Sequence, residues 1–165
     1  MQTVILVLEA VSERVGRLAA WSTALMVGLI FFLVVMRYGF GSFDQRLSEL
    51  TTYCFAISFL FSSGYALKHD SHVRVDLFYA KWSERRKAVV DLLGTVLFLL
   101  PWCAVAILTC WQYAYNSFLL GESSAQPSGL PAVWVLKFII LLGFVLLLLQ
   151  GLALALRAVV TLRRR

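Results

Sequence analysis

The chain has 165 residues, of which 61% are hydrophobic and only 15% charged, with a mean hydropathy of +0.82 and a formal net charge of +6. Soluble domains average about 45–50% apolar and about 25% charged residues, so this composition belongs to a membrane protein with no room for a large extramembrane domain. The basic residues flank apolar runs and build no basic face on a soluble module, which ties the positive charge to topology and membrane lipids and excludes nucleic acid as a partner.

Val4, Leu8, Val11 and Val15 recur at helical spacing opposite Glu9, Glu13, Arg14 and Arg17. This pattern predicts an amphipathic helix over residues 1–17, lying in the cytoplasmic interface. Its acids, and the lack of a small-x-small site after the apolar run that follows, argue against a cleaved signal peptide. That run, residues 18–36, is the first span and ends at Arg37. Ala20, Ala24 and Gly28 make a small-residue ridge along it, where another helix can approach closely. Gly39, Gly41 and Ser42 mark a turn. The second span covers about 47–67, with Glu49 at its start as an interfacial or partner-binding carboxylate. Cys54, Ser58 and Ser62 form a weakly polar stripe that should face protein.

Lys68, Arg74, Lys81, Arg85, Arg86 and Lys87 crowd the passage to the third span, which places that passage in the cytoplasm. His69 and His72, with Asp70 and Asp76 nearby, read as a hydrated loop, since nothing sets four metal ligands on a rigid element. Asp76 is a fitting N-cap for a short interfacial helix over 77–82 ending in Trp82, and Ser83 for the next helix, which has Glu84 in its first turn. The third span is placed at about 88–115. Lys87 and Asp91 stand at pairing distance along its start, Pro101 is expected to kink it, and Trp111, Tyr113 and Tyr115 mark its outer interface. The outer loop that follows has one acid, Glu122, then Ser123 and Ser124, and a rigid stretch from Pro127 to Pro131. The fourth span, about 132–156, opens with Trp134 and Lys137 and holds Gln150, which is expected to hydrogen-bond to a neighbouring helix.

All of the fifteen Lys and Arg except Arg37, Arg46 and Lys137 fall on one side of this arrangement. The chain therefore reads as one all-α integral membrane domain of four transmembrane helices plus short amphipathic interfacial helices, with both termini cytoplasmic. The three cysteines, Cys54, Cys103 and Cys110, all lie in apolar segments without disulfide or redox spacing. Haem ligation would need histidines within the spans, and proton-coupled export an ionisable group near the midplane; neither is present. No internal repeat marks a self-sufficient transporter. The residues favour a scaffold or accessory subunit, with no enzymatic activity and no cofactor or metal of its own.

An ordered series of short motifs then narrows the reading. It comprises Arg37-Tyr38, Glu49, Gly64-Tyr-Ala-Leu67, His72-Val-Arg-Val-Asp76, Ser83 with Arg85-Arg86, Asp91-Leu-Leu-Gly94 and Pro101. It continues with Gly121-Glu-Ser-Ser124, Gly129-Leu-Pro131, Trp134, Lys137 and Leu149-Gln-Gly151. On a four-span frame this series resembles the DctQ-like small membrane subunit of tripartite ATP-independent periplasmic (TRAP) transporters, from about Leu18 to Leu156. Ser48 stands where the family often has a second acid, and Ser128 where it often has Pro-Gly-Gly-Leu-Pro.

The resemblance implies an inner-membrane importer of bacteria or archaea with three parts: a large permease subunit, a periplasmic substrate-binding protein, and this small subunit. Transport would be secondary and typically sodium-coupled, with small organic acids as substrates and the ion and substrate sites in the large subunit. The small subunit would enlarge and anchor the static scaffold. On that reading Arg37, Glu49, His72, Arg74, Asp76, Asp91 and Gln150 hold helix ends or bind the large subunit. Glu122, Ser123 and Ser124 would help dock the binding protein. Trp82, Arg85, Arg86, Lys87, Trp111 and Trp134 would anchor the chain among the membrane lipids. The alternatives are the small subunit of another tripartite carboxylate importer and a stand-alone four-helix channel or exporter.

Overall fold

The computed structural model describes residues 2–69 and 82–163. His72, Arg74, Asp76 and most of the expected 77–82 helix lie outside the described residues. Among the described residues there are four long helices: α1 (Gln2–Gly39), α2 (Gln45–Lys68), α3 (Glu84–Leu119) and α4 (Val133–Arg163). Each is long and apolar enough to cross a membrane, and they alternate in direction.

Residues 2–17 and the first span, read separately from the sequence, form one continuous helix. At 38 residues α1 is about 57 Å long, against a hydrocarbon core of about 30 Å. The reason lies in which face is buried. Ile5, Glu9, Ser12, Gly16 and Ala19 form a seam at three- and four-residue spacing, while Val4, Leu6 and Val7 are exposed. This seam is rotated by about 90° from the valine and leucine stripe. Small side chains let the backbones close: a methyl on Gly16 would stand 2.5 Å from Tyr65 Cβ. Higher up, Thr23 and Ser58 pair through their hydroxyls at 2.5 Å, so the weakly polar stripe of α2 does meet protein.

The α1–α2 turn closes when the Phe40 and Ser42 N–H groups both donate to Met36 O, with Gly41 at φ +63° supplying the left-handed step. Asp44 then caps α2, its Oδ1 accepting the N–H groups of Arg46 at 2.8 Å and Leu47 at 3.2 Å.

In α3 the expected proline kink takes a specific form. Residues Thr95–Leu99 make a π-helical turn, and the Leu100 N–H reaches back to Thr95 O. Pro101 has no N–H to donate, and its ring would crowd the carbonyl four residues earlier. The wider turn just before it removes that conflict without ending the helix.

Helix α4 packs on all three others, and α1 and α3 lie on opposite flanks with no substantial mutual contact among the described residues. Gly143 faces Leu60 of α2, and Gly151 faces Leu99 of α3. The outward faces are strongly apolar: Trp21, Phe31, Phe98, Trp102 and Leu108 are all exposed. Ala20, Ala24 and Gly28 also face outward, so the small-residue ridge meets no helix among the described residues.

The seam predicts a contrast between two glycines. Gly16→Ala should lower the melting temperature of the detergent-solubilised protein, by an overpacking cost of about 1–3 kcal/mol. Gly28→Ala, with nothing within 4 Å of the added methyl, should leave it unchanged or slightly raised. Equal effects in a thermal-shift measurement would refute the assignment of the packed face.

Candidate functional site

Among the described residues the charged groups gather in two tiers, one at each end of the bundle. At the end away from the termini, Glu49 stands in the second turn of α2, where the Asp44 cap sets its direction toward the outer loop. Its Oε1 accepts the Ser124 hydroxyl at 2.5 Å and the Gln45 Nε2 at 3.3 Å, and its Oε2 accepts the Leu130 N–H at 2.7 Å. The loop is cross-braced as well: Ser124 N–H donates to Leu130 O at 2.9 Å, and Gln126 N–H to Ser124 Oγ at 3.1 Å. Arg46 Nε reaches Ser128 O at 3.3 Å, and the Tyr53 hydroxyl donates to Ala132 O at 3.2 Å. Ser128 adopts φ +62°, where glycine is better suited, and Gly129 admits no side chain, since a methyl there would lie 2.6 Å from Glu49 Oε1.

Glu122 serves the other half of the same loop. Its Oε2 accepts the Ser117 hydroxyl at 2.6 Å and pairs with the Lys137 ammonium. Lys137 is buried to 7% exposure beneath this carboxylate, with Nζ 3.8 Å from the centre of the Tyr113 ring. A buried ammonium needs such partners, because desolvation without them is costly. Lys137, first, and then the Ser117 hydroxyl hold the Glu122 carboxyl below the usual range for glutamate. Around this pair Trp111 stacks on Tyr115, and Trp134 meets Phe118 edge-on at 5.2 Å. Arg37 lies over the Phe43 ring at the end of α1.

At the end that carries the termini, Arg157 of α4 pairs with Glu9 of α1: Nη2 donates to Oε2 at 2.7 Å, and Nε stands at ion-pair distance, 2.6 Å, from Oε1 without a hydrogen bond to it. Glu13 joins Arg17 at 2.7 Å, Lys68 at 2.8 Å and His69 Nε2 at 2.9 Å, fastening α1 to the end of α2. Glu9 and Glu13 were not among the residues singled out from sequence; they were placed on the polar face of an interfacial helix. The signal that finds Glu9 is its spacing with Ile5, Ser12 and Gly16, a seam of small and polar residues.

Asp91 is half-buried in a cleft between α3 and α4, beside Lys87, Arg157 and Thr161. Lys87 reaches Glu84 at 3.1 Å. Ser83 holds the N-cap position, but its hydroxyl makes no capping bond; only its carbonyl takes the Lys87 N–H, at 3.0 Å. Trp82 is half-buried, and Arg85 and Arg86 are exposed. The hydrogen bond expected of Gln150 is not formed by its carbonyl oxygen, which is buried and has no partner. The Ser12 hydroxyl, which with Gln150 Cβ flanks Gly64, donates to Leu8 O within its own helix. Between the two tiers, residues 18–36, 50–67, 92–119 and 138–156 contain no Asp, Glu, Lys, Arg or His. The arrangement braces helix ends and a loop around a charge-free middle.

The family model for the DctQ component of tripartite ATP-independent periplasmic transporters matches residues 26–161. The chain belongs to this family. It is a multi-pass membrane protein and the small subunit of a TRAP transporter, working in a complex with other TRAP components. Comparison with curated proteins and with solved structures gave no match. The DctQ match takes in Glu49, the braced outer loop, Lys137 and Arg157, but not Glu9 or Glu13.

Two outcomes test the outer tier. Glu49→Ala should speed amide exchange at Ser124 and Leu130 by roughly an order of magnitude, while the middle of α4 stays protected. Ser124→Ala in the Glu49→Ala background should add little, because the two side chains act as one unit. The Glu122 carboxyl has its folded pKa below its unfolded one. Its stabilisation is therefore complete above the ordinary glutamate value of about 4.3 and fades as pH falls through the lowered folded value. Loop protection should persist at mildly acidic pH and drop only in stronger acid, and Glu122→Gln should remove its share of that acid-dependent step, leaving the share carried by Glu49.

Proposed function

We propose that this DctQ subunit is the static membrane anchor of an importer for small organic acids. It holds the large permease subunit in place in the inner membrane, with both termini in the cytoplasm. The observation that carries this reading is the charge-free middle of the bundle, bounded by a tier of paired polar groups at each end. Such a body offers a solute no polar path through its centre, and it resists deformation at both ends. Substrate binding and sodium coupling then belong to the large subunit. The long apolar flanks of α1 and α3 provide area for that subunit and for lipid.

The outer loop is the docking surface for the periplasmic binding protein. Glu122 and Ser124 turn inward and stiffen it, while Ser123, Gln126 and Pro127 stand exposed along its edge. A preformed loop loses little conformational freedom on binding, which favours a transient partner.

Co-purification and uptake by the complete transporter test both parts. Asp91→Ala and Glu49→Ala should lower the yield of assembled complex or the uptake rate and leave the choice of substrate unchanged. A variant that altered which acid is imported would place substrate contacts in this chain and overturn the anchor reading. Ser123→Trp should raise the concentration of binding protein needed for half-maximal uptake without affecting assembly; an unchanged concentration dependence would remove the docking role.

A further inference from the structure

At the start of α3 a cleft of about 540 Å³ is lined by Trp82, Ser83, Arg85, Arg86, Val89 and Val90. Its upper part is cationic. Among the described residues neither Arg85 nor Arg86 has a carboxylate at ion-pair distance, and the neighbouring acid, Glu84, is engaged by Lys87. The Ser83 hydroxyl leaves the first-turn N–H groups of α3 uncapped, so they add positive potential at the same place. Its lower part is apolar. Val89 and Val90 lie one helical turn below the two arginines on the same face, and both are exposed. Leu93 and Leu97, also exposed, extend the track toward the middle of the bundle. From Arg86 to Leu97 is about 17 Å along the helix, close to the depth of one leaflet of a hydrocarbon core about 30 Å thick. The opposite face of α3, with Ala88 and Thr95, is buried in the protein.

We infer that this cleft binds an anionic phospholipid, with Arg85 and Arg86 on the phosphate and one acyl chain lying along Val89, Val90, Leu93 and Leu97. Two guanidinium groups with no carboxylate at ion-pair distance among the described residues favour a headgroup of net negative charge over one that brings its own cation. The apolar lower half distinguishes a lipid from a free anion, since inorganic phosphate has nothing to place there. Trp82 stands at the level of the glycerol, where indole rings concentrate in bilayers. The site goes beyond the anchor role, because a lipid held at α3 does not depend on what the transporter carries.

The test is native mass spectrometry of the intact transporter complex, released from nanodiscs holding equal amounts of phosphatidylglycerol and phosphatidylethanolamine. The wild-type complex should retain phosphatidylglycerol at least about tenfold over phosphatidylethanolamine. The double variant Arg85→Ala/Arg86→Ala should lose that preference, and Arg85→Lys/Arg86→Lys should keep part of it. Val90→Trp fills the lower cleft and keeps both arginines; it should also release the lipid, which covers the case in which the double alanine variant does not fold. Excess inorganic phosphate should fail to displace the lipid. Equal retention of both lipids, or unchanged retention in the double alanine or Val90→Trp variant, would overturn the site. So would displacement by phosphate, which marks a free-anion site, or loss of the large subunit with lipid retention intact, which marks a protein contact. None of these readouts involves uptake, so failure here is separable from failure of the anchor reading.

Discussion

Helix α4 has to pack against three helices at once, and the rest of the structure follows from how it does so. Its buried positions include Gly143, Gly151, Ala153, Ala155 and Ala158, small residues that let α2 and α3 come close. In a bilayer there is little hydrophobic gain in burying one apolar helix against another, so association rests on close backbone approach and on polar contacts. Leu60 against Gly143 and Leu99 against Gly151 are the places where that approach is tightest on α4. Helix α1 uses the same device on α2, with Gly16 against Tyr65.

Among the described residues the ion pairs are confined to the two ends, where they do different work. The inner pairs, Glu9 with Arg157 and Glu13 with Lys68 and His69, tie together helix ends that extend past the apolar spans. The outer groups hold a loop. Glu49 and Glu122 reach the 121–132 segment from two sides, one through Ser124 and the Leu130 N–H, the other through Ser117 and Lys137. A loop with that many fixed points can present an edge without reorganising. In a transporter subunit, stiffness at both ends suits a part against which something else moves.

The α3 cleft fits the same division of labour. Its two arginines are exposed, have no carboxylate at ion-pair distance among the described residues, and lie above an apolar track. A lipid seated there would extend the anchoring beyond side chains that only touch the interface.

Hydropathy and charge bias by themselves determined four spans, the common side of the termini and the absence of a charged midplane, because bilayer thickness and backbone desolvation leave a chain of this composition few alternatives. The motif series added the family. Glu49 and Glu122 were visible as isolated acids at span ends, but their partners Ser124, Leu130 and Lys137 lie far away in sequence or contribute only a backbone N–H. The seam of α1 was not read from the sequence, where the valine and leucine stripe of residues 1–17 pointed to a helix lying in the membrane interface; small and polar residues mark the face that meets protein. Gln150 was expected to bond across helices; it is buried, but its carbonyl oxygen has no hydrogen-bond partner among the described residues. Composition thus decided where the chain crosses. Which face of each crossing meets protein, and which acid finds which cation, depended on close packing between segments that no local pattern records, and only the tertiary structure decided it.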